Sequence, residues 1–212
     1  MAKRSLHYVA GFFTRRKLPY SYPRGVLTHD GSRGWRMTPV IIHLLCAVTG
    51  ADKTALERTR ILKRNFLHPV PWFRTSRGGG AIVLGTSARP RIIFTENFFL
   101  REIYGRRARH YGNRLDVWLD MLSHEVGHVG QLQRMANPAT YIASFAWQYL
   151  RAVSHSNAPL EKEAEEGRKR YRKFIASMRN EGLIREFYNL LRSDQPEDDK
   201  ICQMDLWLKR FS

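Results

Sequence analysis

The stretch that most constrains this chain is Leu122-Ser123-His124-Glu125-Val126-Gly127-His128-Val129-Gly130-Gln131. It carries His-Glu-x-x-His. On an α-helix, residues four apart share a face and lie one turn from each other. His124 and His128 can therefore offer imidazole nitrogens to one Zn²⁺ ion. Glu125 lies about 100° around the helix, where its carboxylate can reach a water molecule polarised by that ion. Metal-assisted peptide hydrolysis needs this pairing of a Lewis acid with a base. The arrangement requires a helix, and the sequence predicts one. No proline falls between Asn113 and Met135, and Trp118, Met121, Leu122, Val126, Val129 and Leu132 recur at helical spacing, which makes a core-facing stripe. Asn113 suits an N-cap, and Asn137-Pro138 is a stop signal. Gly127 and Gly130 each weaken a helix by roughly 1 kcal/mol relative to Ala, but would let it approach a neighbour or a substrate closely. Asp120, one turn before His124, and Gln131, on the ligand face, are candidates to hold a ligand in position or line a cleft. The competing reading is a chance match on an amphipathic helix.

A catalytic zinc site takes three protein ligands and keeps one position open. A third His shortly after the motif is not available: Arg134 stands in that neighbourhood, and the next histidine is His155. The other common source is a Glu on a later helix, often followed one turn on by an Asp. Here Glu161 has Glu165 one turn on, in the place an Asp more often holds. Glu161 is thus the candidate ligand, and Glu165 a candidate to orient His124 or His128. A helix of some 15 residues between the two segments spans roughly 20 Å, enough for the chain to turn back. Glu163 is the alternative ligand. His155 is a further candidate for the metal or for the cleft wall, where it would donate to a substrate oxyanion. Against all of these, Glu161, Glu163, Glu165 and Glu166 read equally as a solvated acidic face favoured by the helix dipole.

These residues resemble the glutamate-zincin superfamily. More narrowly, the chain is similar to the metallopeptidase-like domain associated with extracellular contractile injection systems and bacterial polymorphic toxins. The segments that carry the resemblance are Ala81-Ile82-Val83-Leu84-Gly85, His124 to Gln131, and Asn157-Ala158-Pro159-Leu160-Glu161-Lys162-Glu163-Ala164. Together they span a motif core of about 78–170. The resemblance implies a zincin-like fold, zinc held by His124, His128 and Glu161, Glu125 as general base, and a bacterial effector as the biological setting. Residues before about 75 and the last 40 have no counterpart in it, and Glu165 departs from the usual Asp.

Length and composition are compatible with this. A chain of 212 residues that is 43% hydrophobic and 12% aromatic belongs to the globular class and can bury one sizeable core. The organisation read from it is a basic N-terminal arm over 1–36 and a single domain over 37–212. In the arm, Lys3, Arg4, Arg15, Arg16, Lys17 and Arg24 precede the first acid, Asp30, and Pro19, Pro23, Gly25, Gly31 and Gly34 punctuate it. It reads as irregular. Thr38-Pro39 then opens an apolar helix ending at Gly50, with His43 a satisfied core histidine. A second helix is expected from about Asp52 to Phe66. After Arg77-Gly78-Gly79-Gly80, a hinge, residues 81–85 and 91–95 read as a β-hairpin. Helices are expected at 139–153, 160–179 and 183–191, then a short amphipathic tail ending at Phe211. The fold class is mainly α (α+β): a helical core with a small hairpin or sheet at the cleft rim.

The formal net charge is +17. Such a balance favours a polyanion, whether nucleic acid or an anionic membrane surface, although no nucleic-acid motif accompanies it and a solvated basic surface explains it as well. No apolar run is long enough to span a bilayer. Leu6 to Phe13 is a poor signal-peptide core, and Cys46 and Cys202 do not form a disulfide framework. The location expected is cytoplasmic, with export by a dedicated secretion or injection system left open. The leading functional expectation is a zinc metalloendopeptidase acting on a peptide or protein. The alternative is a zinc-stabilised binding module, without catalysis, that contacts nucleic acid, membrane or a protein partner.

Overall fold

The computed structural model describes residues 23–29, 34–64, 81–95, 114–135, 137–152 and 157–211. His155, Asn113, the triple glycine and the first 22 residues lie outside these. The fold is mainly α, with seven helices and a small mixed sheet of five strands among the described residues.

The sheet begins inside the stretch expected to be irregular. β1 (Leu27–His29) and β2 (Trp35–Met37) pair antiparallel, Leu27 opposite Met37. Val26, Leu27 and Met37 are buried, so the described end of the basic arm belongs to the core. Short strands in turn-rich sequence carry too little alternation to be read locally; pairing makes them. Pro39 then starts α1 (Pro39–Thr49), which ends on Gly50 in the left-handed conformation, φ 73°. There an L-residue with a Cβ is strained and glycine is not. Thr38 is the N-cap residue, but its hydroxyl donates to the Gly25 carbonyl instead. The amide of Val40 is satisfied from far away, by Glu197 Oε2 at 3.1 Å.

The expected helix from Asp52 to Phe66 is a correction. Asp52 does cap α2 (Lys53–Arg58), accepting from Ala55 N at 2.8 Å. The helix stops there, because Thr59 turns extended and its hydroxyl bonds back to Ala55 O. Arg60–Arg64 is a strand, β3, paired parallel with β5 from Arg60↔Arg91 to Arg64↔Thr95. Ile61 is fully buried with Arg60 exposed; the gain from a parallel ladder over a core outweighs helix propensity here. The hairpin is present as β4 (Ala81–Thr86) and β5 (Arg89–Thr95), in register Ala81↔Phe94 to Thr86↔Arg89. The strands run closer to the turn than expected, leaving Ser87 and Ala88 between them. Among the described residues the order is β1-β2-β3-β5-β4, which puts β4 at an edge of the sheet.

The remaining helices are α3 (Arg114–Arg134), α4 (Pro138–Ala152), α5 (Pro159–Asn180), α6 (Ile184–Arg192) and α7 (Glu197–Phe211). The last of these was read as a tail; it is a full helix packed on α1, with Asp205 bound to His43 Nε2 at 2.6 Å. That contact satisfies His43, as expected. α3 and α5 form the central pair, α1 packs on both, and β4 and β5 pack on α3. Trp118 of α3 lies against Phe94 of β5, ring centroids 4.9 Å apart. One hydrophobic core joins residues from Val26 to Leu208.

Candidate metal centre

His124, Glu125 and His128 lie in the second half of α3, and Glu161 in the first turn of α5. The two helices can approach because Gly127 faces Ala164: a Cβ built at Gly127 would lie 2.7 Å from the Ala164 Cα. Gly130 meets only the end of the Arg134 side chain, so the close approach expected of both glycines is realised at Gly127 alone.

Across this contact Glu161 bridges the two imidazoles. His124 Nε2 is 3.3 Å from Glu161 Oε2, and His128 Nε2 is 3.4 Å from Oε1. The rings stand at 86° with centroids 5.0 Å apart. Among the described residues these three form the cluster of His, Cys, Asp or Glu side chains whose ligand atoms converge, all within 4.8 Å of one another. A tetrahedral ion with ligand bonds of 2.0–2.1 Å has ligand atoms about 3.3 Å apart. The two Nε2-to-carboxylate separations, each to a different oxygen of Glu161, are close to that edge, and two imidazoles with one carboxylate are a donor set that suits zinc.

The far nitrogen of His128 is oriented as such a site requires. His128 Nδ1 lies 2.8 Å from Gln131 Oε1, and Gln131 Nε2 donates to the Leu160 carbonyl at 2.7 Å. A carbonyl only accepts, so the amide nitrogen of Gln131 must face it. Gln131 Oε1 then accepts from His128 Nδ1–H, which leaves Nε2 directed at Glu161. On His124, Nδ1 is buried and 3.4 Å from Glu165 Oε2. Burial pulls the His124 imidazole down, but Glu161, Glu165 and Glu125 outweigh it and lift its pKa to about 10. Glu165 is held below the ordinary carboxylate range by His124, against desolvation, with help from Arg168 and Arg172.

Of the other sequence candidates, Glu125 is buried, and its charge acts on both His124 and Tyr141, which places it at the same locus. Asp120 is buried too, bound by Arg168 and Arg172; these two arginines also reach Glu165, which lies beside His124. Glu163 is half exposed and paired with Arg134, outside the cluster. Glu161 is not part of a solvated face, since it is only 6% exposed.

Several residues were not singled out from sequence. Tyr141 of α4 is buried, and burial together with Glu125 and Glu161 raises its hydroxyl pKa. Phe145 lies edge-on to His128, with ring centroids 6.0 Å apart. Gln148 Oε1 accepts from Leu160 N at 3.0 Å, replacing the side-chain cap that Ala158 cannot supply. The signal for Tyr141 and Phe145 was one face of an aromatic helix, and nothing local ties that face to the metal motif.

No family model matches the sequence, and comparisons with curated proteins and with solved structures also return no match. Among the described residues, no helix is long and apolar enough to cross a membrane.

Proposed function

We propose that this chain is a zinc-dependent metalloendopeptidase of the glutamate-zincin type. The observation that carries the reading is the convergence of His124, His128 and Glu161 across the α3–α5 contact, with Glu125 buried beside it. Zinc there would supply Lewis acidity, polarising a scissile carbonyl and acidifying water. Glu125 takes the proton from the attacking water and returns it to the leaving amine. Tyr141, kept protonated by its surroundings, is a donor for the negative charge that develops on the carbonyl oxygen. β4 stands at the sheet edge and packs against α3 and α4, the helices that carry the histidines and Tyr141. Among the described residues no strand pairs with its outer side, which would offer backbone groups to an extended peptide. The similarity to domains of contractile injection systems and polymorphic toxins makes a bacterial effector the setting we favour.

The test is Glu125→Gln beside wild type, with zinc content measured in both. A lost general base should cut cleavage of a peptide library by about 100-fold or more while zinc and fold are retained. Full cleavage by the variant would end the peptidase reading.

A further inference from the structure

Away from the metal centre, the sheet carries an arginine ladder. Arg60 on β3 is registered with Arg91 on β5. Trp35 pairs with Ile61 in the antiparallel sense, which sets Arg36 of β2 opposite Arg60. Three adjacent strands thus present arginine side by side on one exposed face. Arg89 lies two residues before Arg91 on that face, and Arg58 ends α2 just before β3. Together with Ala88 and Pro90 these five arginines line a recess of about 520 Å³, and among the described residues that line it there is no carboxylate.

Like charges directly opposite one another on neighbouring strands are destabilising. A merely solvated basic surface would spread them; this fold stacks them in one open recess. Arginine, unlike lysine, presents a planar fork that grips phosphate oxygens in pairs. With strands about 4.8 Å apart, the row from Arg36 to Arg91 spans about 10 Å, wider than one phosphate group. The volume lies within the range of about 300–1,000 Å³ common for small-molecule sites. Its walls, the last turn of α2 and the β4–β5 turn, make it a recess and not a stripe, which suits a compact ligand better than an extended nucleic acid.

We infer that this recess is a binding site for a compact ligand carrying two or more linked phosphates, either inorganic polyphosphate or the polyphosphate of a nucleotide. The inference is independent of the peptidase reading.

The test is calorimetric titration of the full chain with inorganic tripolyphosphate, ATP, sulfate, a single-stranded 20-mer and polyglutamate. The same series is run on Arg60→Gln/Arg91→Gln and on the milder Arg89→Gln. Tripolyphosphate and ATP should bind wild type at least 10-fold more tightly than sulfate does. The double variant should lose 10-fold or more of that affinity, and Arg89→Gln a smaller part. Any zinc chelation by polyphosphate is common to all three proteins, so the difference between them reports the recess. Tighter binding of ATP than of tripolyphosphate would identify a nucleotide as the source, and the reverse would identify free polyphosphate. Without ligand, the double variant should melt above wild type, because it removes opposed charges. Equal binding by all three proteins would overturn the site. Tighter binding of the 20-mer or of polyglutamate than of tripolyphosphate, with the same arginine dependence, would overturn the ligand class.

Discussion

Replacing Gly127 by Ala puts one methyl group into the contact that builds the metal centre. Its carbon would lie 2.7 Å from Ala164 Cα, 3.1 Å from Cβ and 3.4 Å from the carbonyl oxygen. Ordinary carbon–carbon contact is about 3.5–4.0 Å, so the helices must part by about 1 Å. The nearest obstacle is backbone, which cannot swing aside. Overpacking of this kind costs about 1–3 kcal/mol; alanine returns roughly 1 kcal/mol of helix propensity. Net stability should therefore fall by no more than about 2 kcal/mol. The site should suffer more. Glu161 rides on α5 less than one turn before Ala164, while zinc–ligand distances tolerate only about 0.2 Å. Zinc affinity should drop steeply, and if the chain is a peptidase, a displacement of about 1 Å should cost about 100-fold in kcat/KM. Gly130→Ala is the internal control, because the added Cβ meets only Arg134 Nη1 at 3.8 Å. That variant should gain up to about 1 kcal/mol, a rise of about 2–4 °C in Tm for a chain of this size, with zinc binding unchanged. Competitive zinc titration and thermal melts of the two variants decide the matter. Equal stabilisation of both, with zinc affinity intact, would refute the claim that Gly127 sets the ligand geometry.

Glu161→Ala should remove most bound zinc, as measured by metal analysis after dialysis, whereas Glu163→Ala should leave it in place because Glu163 faces Arg134. Gln131→Met should weaken zinc binding by roughly 10- to 100-fold, the usual effect of losing an outer hydrogen-bond partner, without loss of helical circular dichroism. Acid titration of stability should separate two buried carboxylates. Asp120 is desolvated, but its bonds to Arg168 and Arg172 hold its pKa below the ordinary value, so its contribution is present above the ordinary carboxylate range and is lost as pH falls through the folded value. Asp116 is raised, mainly by desolvation, so its native form takes up a proton first and its cost is relieved as pH falls. Denaturant melts between pH 3 and 7 should show a flatter acid limb in Asp120→Asn and a steeper one in Asp116→Asn; the same slope in all three proteins would contradict this assignment.

What could be read in the sequence was what the chain states locally. Pro39, Gly50, Pro138 and Pro159 fix helix ends by their own backbone chemistry, and the helices begin or end there. The cluster His124, His128, Gln131, Glu161 and Glu165 was legible because helical spacing sets which side chains share a face. Features built from distant pairs were not. β3 exists because β5 lies beside it, β1 and β2 because they find each other, and no period in Arg60-Ile61-Leu62 separates strand from helix over so few residues. Thr38 was identified as the cap of α1, yet the capping carboxylate comes from Glu197, 157 residues away. Tyr141 reaches the site only because α4 packs on α3 and α5, a fact of tertiary packing.

The α3–α5 seam has an order that bears on whether its far end could hold a metal. Along α3, Asp116, Asp120, His124 and His128 recur every fourth residue and so lie in one stripe. Their partners on α5 run the other way. Asp116 meets Arg179, Asp120 meets Arg172 and Arg168, His124 meets Glu165 and Glu161, and His128 meets Glu161. The first two rungs are closed pairs of acid and arginine. At the next two the acid has changed helix, and what it faces is imidazole. A buried carboxylate needs positive charge nearby, and Glu161, Glu165 and Glu125 accordingly raise the His124 pKa. A divalent cation at this end would complete the row with the sign that Arg168, Arg172 and Arg179 supply further along. It follows that exchanging the sign on one rung should be tolerated only with its partner: Asp120→Arg alone would set a third cation against Arg168 and Arg172 and should unfold the seam.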